Sequence, residues 1–311
     1  MFGPKSNSCM SRALLRLTFV LVLFLVVASA SSCALVDQLA ARLSPAATDL
    51  PVAVSVTVHF IDVGQGDAAL IQCSPGGTML VDGGPGLASE RLINYLAKQA
   101  VEIIDLLVVT HPHEDHIGGL PDVFAQFAVK QVVDSGVTHT TRAYDAYWNA
   151  LQHEKRAGGC SYLKADRQSI SLAANVTLTV LGPLGPMDST NNSSVVARLD
   201  FGQSSFLFMG DALYEAETAL LDRGVRLSAD VLKVSRHGSY TSTSVKFLDA
   251  VDPAYAVISA GAENPYGHPH DQTLVRLARV GATIYRTDQD GDVVFQTDGK
   301  TIRLVAPASA R

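Results

Sequence analysis

A chain of 311 residues with 47% hydrophobic and 17% charged side chains can bury a sizeable core, in one large domain or two smaller ones. Its formal net charge of −6 excludes binding nucleic acid through overall charge, although a local basic groove stays open. No long stretch has the composition of a disordered tail.

The N-terminus has the order of an export signal. Lys5, Arg12 and Arg16 precede an apolar run from Leu17 to Ala28, followed by small residues and Cys33. That run is short of the ~20 residues that cross a bilayer as a helix. Ala30-Ser31-Ser32-Cys33 resembles a bacterial lipobox, with Ala30 where leucine is usual and Cys33 as the lipidated residue. Residues 1–33 are therefore expected to be a lipoprotein-type signal peptide that places the protein on the outer face of the cytoplasmic membrane. Residues 34–53, rich in Ala, are expected to be a tether, and 54–311 the folded domain. Cys73 and Cys160 then remain in the mature chain; they can pair in an oxidising compartment, and they lack the spacing of a zinc site.

From residue 54 the pattern is that of a β-meander. Residues 54–61 alternate with the period of a strand, Gly64-Gln65-Gly66-Asp67 turns the chain, and strands are expected at 68–72 and 78–81, the last stopping at Asp82-Gly83-Gly84. Gln65 and Asp67 read as turn residues. Residues 89–98 carry apolar residues at helical spacing. Leu106-Leu107-Val108-Val109 is wholly apolar, as in a strand buried on both faces. A helix near 119–127, a strand at 131–133, a helix around 144–153 and strands at 176–181, 195–200 and 205–209 follow, the last two forming a hairpin through Gly202. Further strands at 231–234 and 255–258 run into polar loops; a helix at 273–279 and closing strands over 283–305 end the chain. With no composition break after residue 54, the expected architecture is one α+β domain: two mixed β-sheets packed face to face, with helices outside.

The chemistry concentrates where the apolar strand ends. His111-x-His113-x-Asp115-His116 places three imidazoles and a carboxylate within six residues, the ligand types that suit zinc and related divalent ions. Residues two apart on an extended loop point the same way, so His111 and His113 can grip one ion while Asp115 and His116 turn toward a second. Pro112 stiffens the loop, and Gly118-Gly119 lets the backbone turn away sharply. Asp211 can be a ligand or the N-cap of a helix beginning near Leu213. His268 and His270 can face substrate, or stand as loop residues before a helix capped by Asp271. Ser239, Thr241 and Ser242 can contact phosphate or shape a turn. His59, His139 and His153 read as ordinary residues.

The H-x-H-x-D-H pattern resembles the signature of the metallo-β-lactamase fold, a four-layer αββα sandwich. Further segments are similar, in the same order, to the hydrolase domain of ComEC-type DNA-uptake proteins and their stand-alone relatives: Phe60 to Asp67, Val81 to Gly84, Asn191-Asn192-x-Ser194, Met209-Gly210-Asp211, Lys233 to Ser239 and Tyr266 to His270. Residue by residue, the resemblance implies that His111 and His113 hold one metal, Asp115 and His116 the other, that Asp211 bridges them and that His237 completes the second site, with Asp82 orienting ligands. It implies zinc, two ions per chain, with manganese as the alternative. Two departures stand out. Arg236 occupies the position of the first of two histidines before Gly-Ser; it can stabilise phosphate charge but cannot shuttle protons at neutral pH. Asn191 and Asn192 stand in the 184–194 stretch, where the wider fold carries a third histidine for the first metal.

Two metals lower the pKa of water and offset charge on phosphoryl or carbonyl oxygens. The expected activity is hydrolysis of a phosphodiester, DNA being the candidate polymer, with Asp115, Arg236, His268 and His270 as catalytic residues. Alternatives are a phosphocholine-type esterase of the cell envelope and a lipid-anchored accessory module whose turnover Arg236 has weakened. The membrane channel of a DNA-uptake protein has no counterpart in the sequence.

Overall fold

The computed structural model describes residues 54–185 and 187–307; the expected signal peptide, tether and Cys33 lie outside them. Among the described residues no helix is long and apolar enough to cross a membrane.

In chain order the strands of the two large sheets are β1 (Ser55–Phe60), β2 (Ala69–Ser74), β3 (Thr78–Val81), β4 (Leu106–Val109), β5 (Gln131–Asp134), β6 (Ser161–Lys164), β7 (Ser169–Ala173), β8 (Val176–Val180), β9 (Ala197–Phe201), β10 (Ser204–Phe208), β11 (Val231–Lys233), β12 (Tyr255–Ile258), β13 (Thr283–Arg286), β14 (Val293–Thr297) and β15 (Ile302–Pro307), and Ile103–Ile104 pairs separately with Ala128–Val129. The helices that matter below are α1 (Ser89–Lys98), α2 (Glu114–Ile117), α3 (Leu120–Gln126), α4 (Arg142–Arg156), α5 (Tyr214–Asp222), α6 (Val245–Val251) and α7 (Asp271–Arg279).

Two mixed sheets form, as expected. One has the order β15-β14-β1-β2-β3-β4-β5-β6, the other β13-β12-β11-β10-β9-β8-β7. In the first, β3, β4, β5 and β6 run parallel and the rest antiparallel. The second has parallel strands from β10 to β13 and an antiparallel remainder. The closing strands divide between the sheets: β13 finishes the second, whereas β14 crosses back to pair with β1.

Strand alternation decides which side chain enters which layer. Leu106 and Val108 of β4 face the second sheet, in a core with Val56, Val58, Phe60, Phe206, Phe208 and Phe295. Leu107 and Val109 face outward and pack with Leu92 and Leu96 of α1, Leu120 and Val123 of α3, and Tyr147 and Leu151 of α4. A third cluster seats α5, α6 and α7 on the far side of the second sheet through Leu220, Phe247, Leu248 and Leu277. The result is four layers, helices–sheet–sheet–helices. Truncating a side chain as buried as Phe60 leaves a cavity worth about 3–5 kcal/mol. Thr141 starts α4 by accepting the Tyr144 N–H, and Ser244 starts α6 by accepting that of Phe247.

One open pairing is settled and one expectation is corrected. Cys73 and Cys160 are free and buried in different layers, so no bridge joins them. Gly118 and Gly119 have ordinary helical φ of −61° and −82°. Their need for glycine is closeness: a Cβ at Gly118 would meet the Gly86 nitrogen at 2.3 Å, and one at Gly119 the Gly83 oxygen at 2.3 Å.

Candidate metal centre

Asp82 and the six candidate ligands His111, His113, Asp115, His116, Asp211 and His237 follow the C-terminal ends of strands with a parallel neighbour, where the loops of the two sheets meet. After β4 the chain stays extended through His113 and then makes the single helical turn α2. The change of conformation splits the ligand types: His111 and His113 stay together with ring nitrogens 2.9 Å apart, while Asp115 and His116 swing to the other side. Asp211 follows β10, and His237 follows β11.

Two trios result. Ligand atoms of His111, His113 and Asp211 lie within 4.8 Å of one another, and so do those of Asp115, His116 and His237. Asp211 faces both: Oδ2 is 3.7 Å from His111 Nε2, whereas Oδ1 is 3.3 Å from His116 Nε2 and 3.6 Å from His237 Nε2. The N-cap alternative for Asp211 is not realised; Leu213 takes that position without a side-chain bond. His237 Nε2 lies 3.1 Å from Asp115 Oδ2, while Nδ1 bonds the Ser259 carbonyl at 3.0 Å, which fixes the tautomer and turns Nε2 inward. Asp82 is fully buried. Its Oδ2 bonds His116 Nδ1 at 2.8 Å and the Thr110 hydroxyl at 2.7 Å, and Oδ1 accepts the Thr110 N–H at 2.8 Å, the orienting arrangement a ligating histidine needs.

His237 reaches the cluster through strained backbone. Arg236 (φ 48°) and His237 (φ 54°) are left-handed, as is Gly238 after them (φ 83°). Two consecutive non-glycine residues in that region cost about 1–3 kcal/mol each, and such strain collects at functional sites. Arg236 donates to Thr241 Oγ1 at 2.7 Å and lines the cavity above the trios. Ser239 bonds Thr241 Oγ1, and Ser242 bonds the carbonyls of Ser235 and Ser239, so these hydroxyls shape the turn.

A cavity of about 330 Å³ opens over the site, lined by Gln65, His113, Glu114, Asp115, Asn191, Asp211, Arg236, His237, Tyr266 and His268. His268 stacks on His237 and Tyr266 on His268. His270 stands apart from that lining: its Nδ1 accepts the Tyr240 N–H at 3.3 Å and its ring meets the Tyr240 ring edge-on. Asp271 is the first residue of α7, and His270 holds the N-cap position. Asn191 occupies the cavity wall, while Asn192 braces α5 by accepting the Leu213 N–H and donating to Glu215. His139 packs edge-on against His113, outside both trios.

The residues fit a pair of cations. Burial disfavours ionised carboxylates, yet Asp67, Asp82, Asp115 and Asp211 stand together with Lys233 as the only lysine paired to them among the described residues. The excess negative charge works against burial at His237, where Asp211, Asp67 and Asp115 push the imidazole up to about 10, and at His116 in the same direction. His111 moves the opposite way, because burial and the neighbouring His116 disfavour its proton. His116 Nε2 and Asp211 Oδ1 are buried without a hydrogen-bond partner, as expected of groups meant for an ion.

Two residues of the site carried no such expectation. Asp67 and Lys233, read as a turn residue and a residue of the strand at 231–234, form a buried ion pair of 2.8 Å beside His237.

Residues 61–262 match the family model of the metallo-beta-lactamase superfamily. The chain belongs to that superfamily. As a metallo-β-lactamase-superfamily protein it is a metal-dependent hydrolase. It is 30% identical over 258 residues to ComE operon protein 3 of Bacillus subtilis, a match that takes in 77% of this chain and 33% of that protein. It is 28% identical over 249 residues to Recombination protein 2 of Haemophilus influenzae, covering 76% of this chain and 28% of that one. The chain thus spans about a third of the length of these relatives, and the ComEC-type resemblance holds for that third. Among solved structures, the metallo-beta-lactamase fold protein YhfI of Bacillus subtilis superposes with a TM-score of 0.52 at 14% identity, over 78% of this chain and all of that one, which shows a shared fold.

Proposed function

We propose that this superfamily member is an exported phosphodiesterase that cleaves nucleic acid, held on the outer face of the cytoplasmic membrane by a lipid on Cys33. The observation that carries the reading is the cavity that opens over both trios with Arg236 and His268 in its wall. His111, His113 and Asp211 would hold one divalent ion, Asp115, His116 and His237 the other, and Asp211 would face both; zinc suits these ligands, with manganese the alternative. Such a pair of ions lowers the pKa of water and screens charge developing on a phosphoryl oxygen.

The chain's own groups do the rest. Arg236 offers a permanently charged, planar donor set to a non-bridging phosphate oxygen, and its bond to Thr241 holds it over the site. The outer edge of Asp115 can accept a proton from an attacking water and orient it. His268 stands where a ring nitrogen can hydrogen-bond the leaving oxygen, while Tyr266 shields that side from solvent. His270, placed behind Tyr240, holds the loop rather than the substrate. The resemblance to ComEC-type hydrolase domains supports a nucleic-acid phosphodiester over other esters.

The test is elemental analysis of the purified protein alongside turnover of bis(p-nitrophenyl) phosphate, compared with Asp211→Ala. The reading expects two ions per chain and a loss of ~10³-fold or more in kcat/KM for the variant, about 4 kcal/mol of transition-state stabilisation. Metal uptake without turnover would favour the accessory-module alternative, and turnover of phosphocholine esters but not oligonucleotides the envelope-esterase alternative.

A further inference from the structure

We propose that Asp67 sets the geometry of the second ion site by holding both Asp115 and His237, and that Lys233 keeps the Asp67 carboxylate from becoming a ligand itself. The inference rests on reading Asp115 and His237 as ligands.

Asp67 closes the glycine turn after β1 on the first sheet, and Lys233 ends β11 on the second, 166 residues later. Asp67 Oδ2 accepts a bond of 2.8 Å from Lys233 Nζ, which also donates to the Val234 carbonyl at 3.1 Å. Asp67 Oδ1 lies 3.2 Å from His237 Nδ1, the ring nitrogen turned away from the trio, beside the Ser259 carbonyl that takes its hydrogen bond at 3.0 Å. The backbone of the same residue takes hold of the other ligand: Asp67 N donates to the Asp115 carbonyl at 3.1 Å, and Asp67 O accepts the Gly84 N–H at 2.8 Å. The turn lies flush against α2, for a Cβ on Gly66 would meet the Asp115 oxygen at 2.3 Å. One residue therefore bonds the helix that carries Asp115 through its backbone and sets a carboxylate against the ring of His237, although the two come from different sheets.

The chemistry explains why such a costly arrangement is kept. Asp67 and Lys233 expose only 7% and 5% of their side chains, and a pair this buried repays its desolvation poorly as a stability device. A carboxylate on the remote nitrogen of a ligating histidine, by contrast, fixes the ring and raises its basicity. Lysine is the counterpart this needs. Asp67 lies within ligand reach of Asp211 and His237, and also of Asp82 and His116, so an unpaired carboxylate there is free to swing onto an ion. The donor-only ammonium occupies Oδ2 and offsets one of the four crowded carboxylates.

The experiment compares wild type, Asp67→Asn, Lys233→Met and the double variant. Zinc is titrated by calorimetry, the visible spectrum of the cobalt-loaded protein is recorded, and melting temperature is followed in parallel. Asp67→Asn is expected to weaken one of the two ions by ~10–100-fold and to change the cobalt spectrum. Lys233→Met is expected to lower the melting temperature and shift the cobalt spectrum toward higher coordination. In the double variant no unpaired charge is left, so melting recovers while the affinity stays low. If the double variant regains wild-type affinity, or if Asp67→Asn binds both ions as the wild type does, the pair is only a brace between sheets and the proposal falls. A wild-type protein that takes up no second ion overturns the ligand reading first, and this proposal with it.

Discussion

The loop after β4 and the loop after β11 each bring histidine to the same few ångströms, by opposite means. The first packs three histidines and an aspartate into six residues on unstrained backbone, extended as far as His113 and helical from Glu114. The second delivers a single histidine through three successive left-handed residues, Arg236, His237 and Gly238. Ligand density in the first loop makes its purpose readable from side chains alone. The second spends conformational energy instead, and its surroundings must hold it: Arg236 N–H on the Gly210 carbonyl, His237 Nδ1 on Ser259, and the close-packed Pro269. This candidate metal centre, assembled from two sheets, thus has one half that is rich in ligands and another that is rich in constraint.

The sharpest way to break this comparison is to disturb the constraint without touching a ligand. In Gly238→Ala a Cβ would enter left-handed backbone and meet Pro269 Cβ at 2.5 Å. Strain and overpacking together are expected to cost about 4 kcal/mol, measured by denaturant unfolding. An unfolding midpoint equal to wild type would show that the second loop is not under constraint.

A second prediction separates the site from the sheet that carries it. His59 on β1 is buried, with Nδ1 2.9 Å from the Tyr95 hydroxyl, and burial holds its pKa down to about 4. Between pH 6.5 and about 4 the unfolded chain binds the proton that the folded chain refuses, so stability is complete above 6.5 and falls as the pH drops through this window. The full loss is ~3 kcal/mol. His59→Gln should flatten that part of a stability–pH curve, leaving what the carboxylates contribute. A curve of unchanged slope would contradict the assignment.

The smallest effect belongs to the unstrained loop. Pro112→Ala removes only a restriction on the unfolded chain and is expected to cost about 0.4–1 kcal/mol, again by denaturant unfolding. A loss as large as that of Gly238→Ala would erase the distinction between the loops.

The same contrast governs what can be read before any coordinates are known. Helix 89–98 and strand 255–258 form with the bounds their periodicity predicts, because each buries one clear face or both. Strands β6 and β7 escape notice because both are sheet edges with polar or exposed positions, Leu163 among them. Residues His111 to His116 announce themselves by density. Asp211 and His237 are single residues at strand ends, and only family resemblance singles them out. Asp67 and Lys233 end and begin two of the segments that carry the resemblance, but their pairing across 166 residues is created by the topology and cannot be read there.

The central claim, one ion in each trio with Asp211 facing both, is tested most directly by anomalous diffraction from crystals of the protein grown with zinc. The account predicts two peaks about 3.5–4 Å apart, one against His111 and His113, the other against Asp115, His116 and His237. One peak, or none at saturating zinc, would contradict it.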